Sequence, residues 1–157
     1  MIFIKLIHDK YENEYGFTEE KEEKDHEYIL LKTIEDVPIQ NDRELTICTW
    51  GIKKHLPFDC DIIFDITLFS TKFDGNIKEY TGLDEKIQQS IMNHPKFDIM
   101  VEEIITNIEI GNVKTIGFIC NYGKHRSVGF AELIKKLYYP RSIIKHRGID
   151  KNKIKLN

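Results

Sequence analysis

A chain of 157 residues has room for one ordinary domain and cannot hold two well-buried cores side by side. With 41% apolar and 31% charged residues it is neither disordered nor collagen-like, because it can bury enough apolar surface to offset the entropy of ordering. The net charge of -3 argues against nucleic acid only until it is divided: residues 1–36 carry 5 Lys/Arg against 11 Asp/Glu, residues 37–119 carry 8 against 13, and residues 120–157 carry 10 against 2.

In chain order, the β-branched run 2–7 reads as a strand at a sheet edge. Residues 11–26, rich in Glu and Asp, read as a solvated surface segment, and 27–33 form a second apolar run. Residues 45–49 are a strand candidate, and 61–66 have the uniformly apolar character of a strand buried on both faces, with Asp65 near its carboxyl end. Asp84 is placed to cap a short helix presenting Leu83, Ile87 and Ile91. Phe97, Met100, Val101, Ile104, Ile105 and Ile108 recur at helical spacing, with Glu102, Glu103 and Asn107 opposite and Gly111 as the stop. A strand over 114–120, a loop to Arg126, a helix over 127–138, a break at Pro140 and a strand over 142–145 complete the series. Such alternation predicts an α/β fold, a three-layer sandwich on a mostly parallel sheet with a strand–loop–helix anion site.

Cys48, Cys60 and Cys120 include no Cys-x2-Cys pair, so neither a disulfide framework nor a thiolate zinc site is indicated, and the expected setting is the reducing cytoplasm. The N-terminus lacks a basic segment followed by a long apolar run, and no uncharged stretch is long enough to span a bilayer, so no membrane partner is expected. The six histidines are scattered and no His-Glu-x2-His occurs; no metal and no cofactor are expected.

In open α/β sheets ligands bind beyond the carboxyl ends of the strands, where a helix begins with unpaired N–H groups and the positive end of its dipole. Cys120, Asn121, Tyr122, Gly123, Lys124, His125, Arg126 and Ser127 occupy that place. Gly123 allows a tight turn, Lys124 and Arg126 supply positive charge, Ser127 is a candidate cap, and His125 donates a hydrogen bond or exchanges a proton near neutral pH. Singly, each residue is read more simply as a strand end, a packed helix start or a solvated charge; together at one junction they describe a pocket for phosphate. The Cys-x5-Arg-Ser spacing also fits a cysteine-dependent phosphatase, with Cys120 as nucleophile, Arg126 as phosphate clamp and Asp65 or Asp74 as general acid. Ile119 stands where those enzymes often have His, and the residues between Cys120 and Arg126 are bulkier than the usual small ones.

Further motifs extend the pattern: Gly51-Ile52-Lys53, Leu56-Pro57-Phe58-Asp59-Cys60-Asp61, Phe64-Asp65, Thr81-Gly82-Leu83-Asp84, then Cys120 and Gly123-Lys124-His125-Arg126-Ser127, Ala131-Glu132 and Lys145-His146-Arg147. In this order they resemble the C-terminal domain of the RNase adapter protein RapZ family. The resemblance implies a domain over 45–157, with 1–44 unmatched and packed on it, standing without the P-loop nucleotide-binding half, since no Gly-x4-Gly-Lys-Ser/Thr occurs. It implies a regulatory module that binds structured RNA and/or a small phosphorylated metabolite such as glucosamine-6-phosphate, without turnover, and that has the capacity to form a homo-oligomer. Carried over, His125 and Arg126 hold the phosphate, Asp65 meets the sugar amine, and Lys53, Lys145, His146 and Arg147 face RNA. The departures are Asn121 for the family's usual Thr, Tyr122 for a customary Gly, and a stretch 67–73 without the family's Arg and Asn-Pro.

The remaining cations of the basic quarter, Lys135, Lys136, Arg141, Lys151, Lys153 and Lys155, are candidate phosphate contacts of the salt-sensitive, sequence-independent kind. The plainer alternative is that Lys135 and Lys136 complement a helix terminus. No RNP-like aromatic motif is present, so recognition of folded RNA shape is the expectation.

Overall fold

The computed structural model describes residues 2–6 and 37–149; the segments 11–26 and 27–33 and the lysines 151, 153 and 155 lie outside them. Five strands, β1 (Ile2–Lys5), β2 (Thr46–Gly51), β3 (Ile62–Asp65), β4 (Thr115–Cys120) and β5 (Ile143–His146), alternate in the second half of the chain with helices α1 (Glu85–Met92), α2 (Phe97–Gly111) and α3 (Arg126–Leu137). They form one all-parallel sheet in the order β1-β3-β4-β2-β5, the α/β sandwich expected from the sequence. β1 takes the predicted edge, pairing Ile4 with Phe64 of β3.

Because the strands are parallel, the segments following β2, β3, β4 and β5 emerge along one edge. The connection leaving β2 crosses β4 to reach β3, whereas that leaving its neighbour β4 crosses β2 to reach β5. Opposed connections of this kind make the carboxyl ends of β2 and β4 the topological switch point, the place where open α/β sheets bind ligands.

Strand alternation sorts the apolar side chains into two clusters. Ile47, Ile62, Phe64, Ile116 and Phe118 join Ile87 and Ile91 of α1, Met100, Ile104 and Ile108 of α2, and Phe130 and Ile134 of α3. Phe118 stacks against Phe64 at 5.4 Å and Phe130 at 6.1 Å, which fixes α3 on the strand preceding the candidate loop. On the other face Cys48, Trp50, Cys60, Ile63 and Ile119 form a smaller cluster under Phe58, with no contribution from a described helix.

Two terminators differ from expectation. The Asp84 carboxylate makes no cap bond to α1 but accepts from the Thr81 N–H at 2.7 Å, tightening the turn before the helix. α2 runs through Gly111, and Asn112 takes the left-handed conformation (φ 47°) that ends it, a role open to Asn because its short polar side chain tolerates that region. Asn107, expected on the polar face, is buried and donates to the Glu103 carbonyl at 2.7 Å.

Candidate functional site

The loop after β4 sits among backbones rather than side chains. Gly123 has φ +71°, and a Cβ there would lie 2.5 Å from the Gly51 nitrogen; one on Gly51 would lie 2.3 Å from the Tyr122 carbonyl carbon. Gly148, beyond β5, approaches equally closely, its virtual Cβ 2.2 Å from the Gly123 oxygen. Hydrogen bonds carry the pairing past the strand ends: Ile52 N–H to Cys120 O at 2.9 Å, Lys53 N–H to Asn121 O at 3.0 Å and Arg147 N–H to Thr49 O at 3.1 Å. From the far side Gly82 N–H reaches the Lys124 carbonyl at 2.9 Å. The carbonyls of Cys120, Asn121 and Lys124 are thus used, while no backbone N–H from Asn121 to Ser127 has a backbone acceptor among the described residues. A row of free donors ending at the start of a 12-residue helix gives a local positive potential.

The basic side chains of the loop have protein partners. Arg126 Nη1 donates to the carbonyls of Thr67 and Phe69, both at 2.7 Å. Lys124 Nζ donates to the Lys78 carbonyl at 3.2 Å, and His125 Nε2 lies 2.9 Å from the Ile77 carbonyl. A carbonyl can only accept, so Nε2 carries the proton in that bond. Burial lowers the His125 pKa below its ordinary 6.5, only partly opposed by the bonds to the Ile77 and Tyr80 carbonyls; Lys124 and Arg126 push the same way as burial. The ring is therefore neutral near pH 7. Lys124, Arg126 and the neutral His125 ring all brace the segments that follow β3, and the free backbone amides are left as donors.

Cys120 and Ser127 are both buried, with the thiol 3.1 Å from the Ser127 hydroxyl. Ser127, expected as the cap, lies inside the first turn of α3; the cap position is His125, without a side-chain cap bond. Asp65 is 6% exposed and accepts from the Thr67 N–H at 2.9 Å, shaping the segment whose carbonyls hold Arg126. Asp74 is exposed.

The other basic residues separate by strand alternation. Lys145 and Arg147 are exposed, and the Arg147 guanidinium carbon stands 3.9 Å over the centre of the Phe58 ring. His146 points the opposite way: its side chain is 1% exposed, with Nδ1 2.6 Å from Thr49 Oγ1 and Nε2 2.7 Å from Glu132 Oε2. It ties β5 to β2 and α3 rather than facing solvent. Lys53 and its neighbour Lys54 place their ammonium groups 5.6 and 5.4 Å from the centre of the ring of Tyr122, a residue that is 54% exposed. Lys54 was not singled out from sequence, and Phe58 only as part of the motif 56–61; a basic pair followed by an aromatic residue is the signal that points to them. Lys135 and Lys136 lie in the last turn of α3, at the end away from the loop, and Arg141 pairs with Glu44 at 2.9 Å.

Among the described residues no three His, Cys, Asp or Glu side chains gather as metal ligands, and no helix is long and apolar enough to cross a membrane. The family model described as the RapZ C-terminal domain matches residues 43–150. A nucleotide-binding protein of Thermotoga sp. (strain RQ2) is 29% identical over 118 residues, covering 67% of this chain. The chain spans 42% of that relative's length.

Proposed function

The chain belongs to the RapZ C-terminal domain family, and on that premise we propose that it is a phosphate-binding regulatory module. Its loop 120–127 takes a phosphate group, of an RNA backbone or of a small sugar phosphate such as glucosamine-6-phosphate, and Lys53, Lys145 and Arg147 engage structured RNA. The supporting observation is the loop itself, whose backbone N–H groups from Asn121 to Ser127 have no backbone acceptor among the described residues. Arg126 shares in the phosphate through guanidinium N–H groups other than those on Nη1, which serve Thr67 and Phe69. The domain extends over 45–157, and of the preceding residues β1 joins the same sheet beside β3.

Exposed lysines and arginines around a phosphate loop give binding that weakens steeply with salt. The test is a titration of labelled structured RNA at several salt concentrations with the wild type, Lys53→Ala and Arg147→Ala. Each substitution is expected to weaken binding and lower the salt slope by about one. Binding that ignores salt, or both variants matching wild type, overturns the RNA part of the proposal.

The phosphatase reading keeps one observation in its favour, the contact between Cys120 and Ser127 in a Cys-x5-Arg-Ser loop. Against it, the Cys120 residue is only 3% exposed, so its thiol offers little surface to a phosphorus atom. An assay of a generic phosphomonoester with wild type and Cys120→Ser decides: turnover that depends on the thiol overturns the binding-module reading.

A further inference from the structure

The exposed ring of Tyr122 belongs to neither the core nor the row of free amides. It stands on the turn of the phosphate loop, more than half exposed, with the ammonium groups of Lys53 and Lys54 at 5.6 and 5.4 Å from its centre. On the segment after β2, which also carries Lys53 and Lys54, Phe58 holds the Arg147 guanidinium at 3.9 Å. Two aromatic rings, each paired with cations, thus flank the carboxyl ends of β2, β4 and β5. The backbone beneath Tyr122 is held by Lys53 N–H to Asn121 O at 3.0 Å and by the close approach of Gly51 to Gly123. A ring fixed in place loses little freedom when a flat partner stacks on it.

The ammonium groups over the ring sit on long, flexible side chains, and an unpaired nucleotide suits them both: a base to stack on the ring and two flanking phosphates to draw the ammonium groups aside. Paired bases are hidden in the duplex stack and cannot reach the ring without unstacking. We propose that Tyr122 is a stacking platform for one unpaired RNA base, with Lys53 and Lys54 holding the adjacent phosphates. The inference rests on RNA binding as proposed above and deepens it, since it makes this surface selective for RNA with an unpaired base rather than for a continuous duplex. Tyr122 then acts as a specificity residue of the site.

The test uses the full chain and two labelled RNAs of equal length, a hairpin whose loop carries 2-aminopurine and a continuous duplex. Wild type and Tyr122→Phe are expected to prefer the hairpin and to change the 2-aminopurine fluorescence on binding. Tyr122→Ala is expected to lose about tenfold in hairpin affinity, to keep its duplex affinity, and to leave the fluorescence unchanged. Thermal unfolding of each variant controls for fold, and a half-exposed ring is expected to leave it unaltered. If both RNAs bind with salt dependence but Tyr122→Ala behaves as wild type, the platform is overturned while RNA binding stands. If the wild type binds neither RNA, platform and RNA binding fall together.

Discussion

Arg126 donates to the Thr67 carbonyl at 2.7 Å across 59 residues of sequence. The same nitrogen reaches the Phe69 carbonyl, so this guanidinium is a brace for the segment after β3 as well as a candidate phosphate contact. A hydrogen bond to a charged group contributes about 1.5–3 kcal/mol. Arg126→Ala is expected to lower stability by about 3 kcal/mol in denaturant titration and to weaken anion binding too. Arg126→Lys keeps the charge without the planar fork and recovers only part of the stability. Unchanged stability in Arg126→Ala would show that the brace carries no weight.

Gly51 tests the backbone packing at the loop. A methyl group there meets the Tyr122 carbonyl carbon at 2.3 Å, well inside van der Waals contact, and backbone cannot rotate away as a side chain can. Gly51→Ala is expected to displace the loop, at a stability cost of about 1–3 kcal/mol, and to abolish phosphate binding. Wild-type phosphate affinity in Gly51→Ala would contradict the geometry.

His125 gives a pH dependence with a fixed sign. Burial depresses its folded pKa below the ordinary 6.5, so the unfolded chain binds the proton more readily. The contribution of the neutral ring is present above 6.5 and is lost as pH falls through the depressed folded value. Stability measured by chemical unfolding is expected to fall below pH 6.5 more steeply in wild type than in His125→Gln, which does not titrate. Parallel pH profiles would rule His125 out as the source.

His146 and Arg147 are neighbours that point opposite ways. The His146 ring links Thr49 and Glu132 inside the structure, so His146→Ala is expected to cost about 2 kcal/mol by removing two hydrogen bonds and leaving the buried Thr49 hydroxyl unpaired, with RNA affinity nearly unchanged. Arg147→Ala is expected to do the reverse, leaving stability within about 0.5 kcal/mol and weakening RNA binding. Equal effects of the two on RNA would contradict the assignment.

These contrasts show where the sequence was informative. The strands and helices were legible because each has one dominant period, as in the apolar stripe of α2 and the continuous run of β3. The strand–loop–helix junction at 120–127 was legible because Gly123 and its neighbours lie next to one another in sequence. The inward turn of His146 was also available, since strand alternation alone sets it opposite Lys145 and Arg147. What sequence does not carry is long-range partnership. Arg126 meets Thr67 and Phe69, and Tyr122 meets Lys53 and Lys54, only because parallel strands bring distant loops to one edge. Asp84 and Ser127, both read as caps from residue type, were claimed by the Thr81 N–H and by the Cys120 thiol.

The central claim is that the free amides after β4 hold a phosphate group. The most direct measurement is a two-dimensional amide NMR titration of the 15N-labelled chain with inorganic phosphate at constant ionic strength. The account predicts saturable shifts concentrated at residues 121–127 in wild type and absent in Gly51→Ala. Shifts that never saturate, that appear equally with chloride, or that centre elsewhere would contradict it.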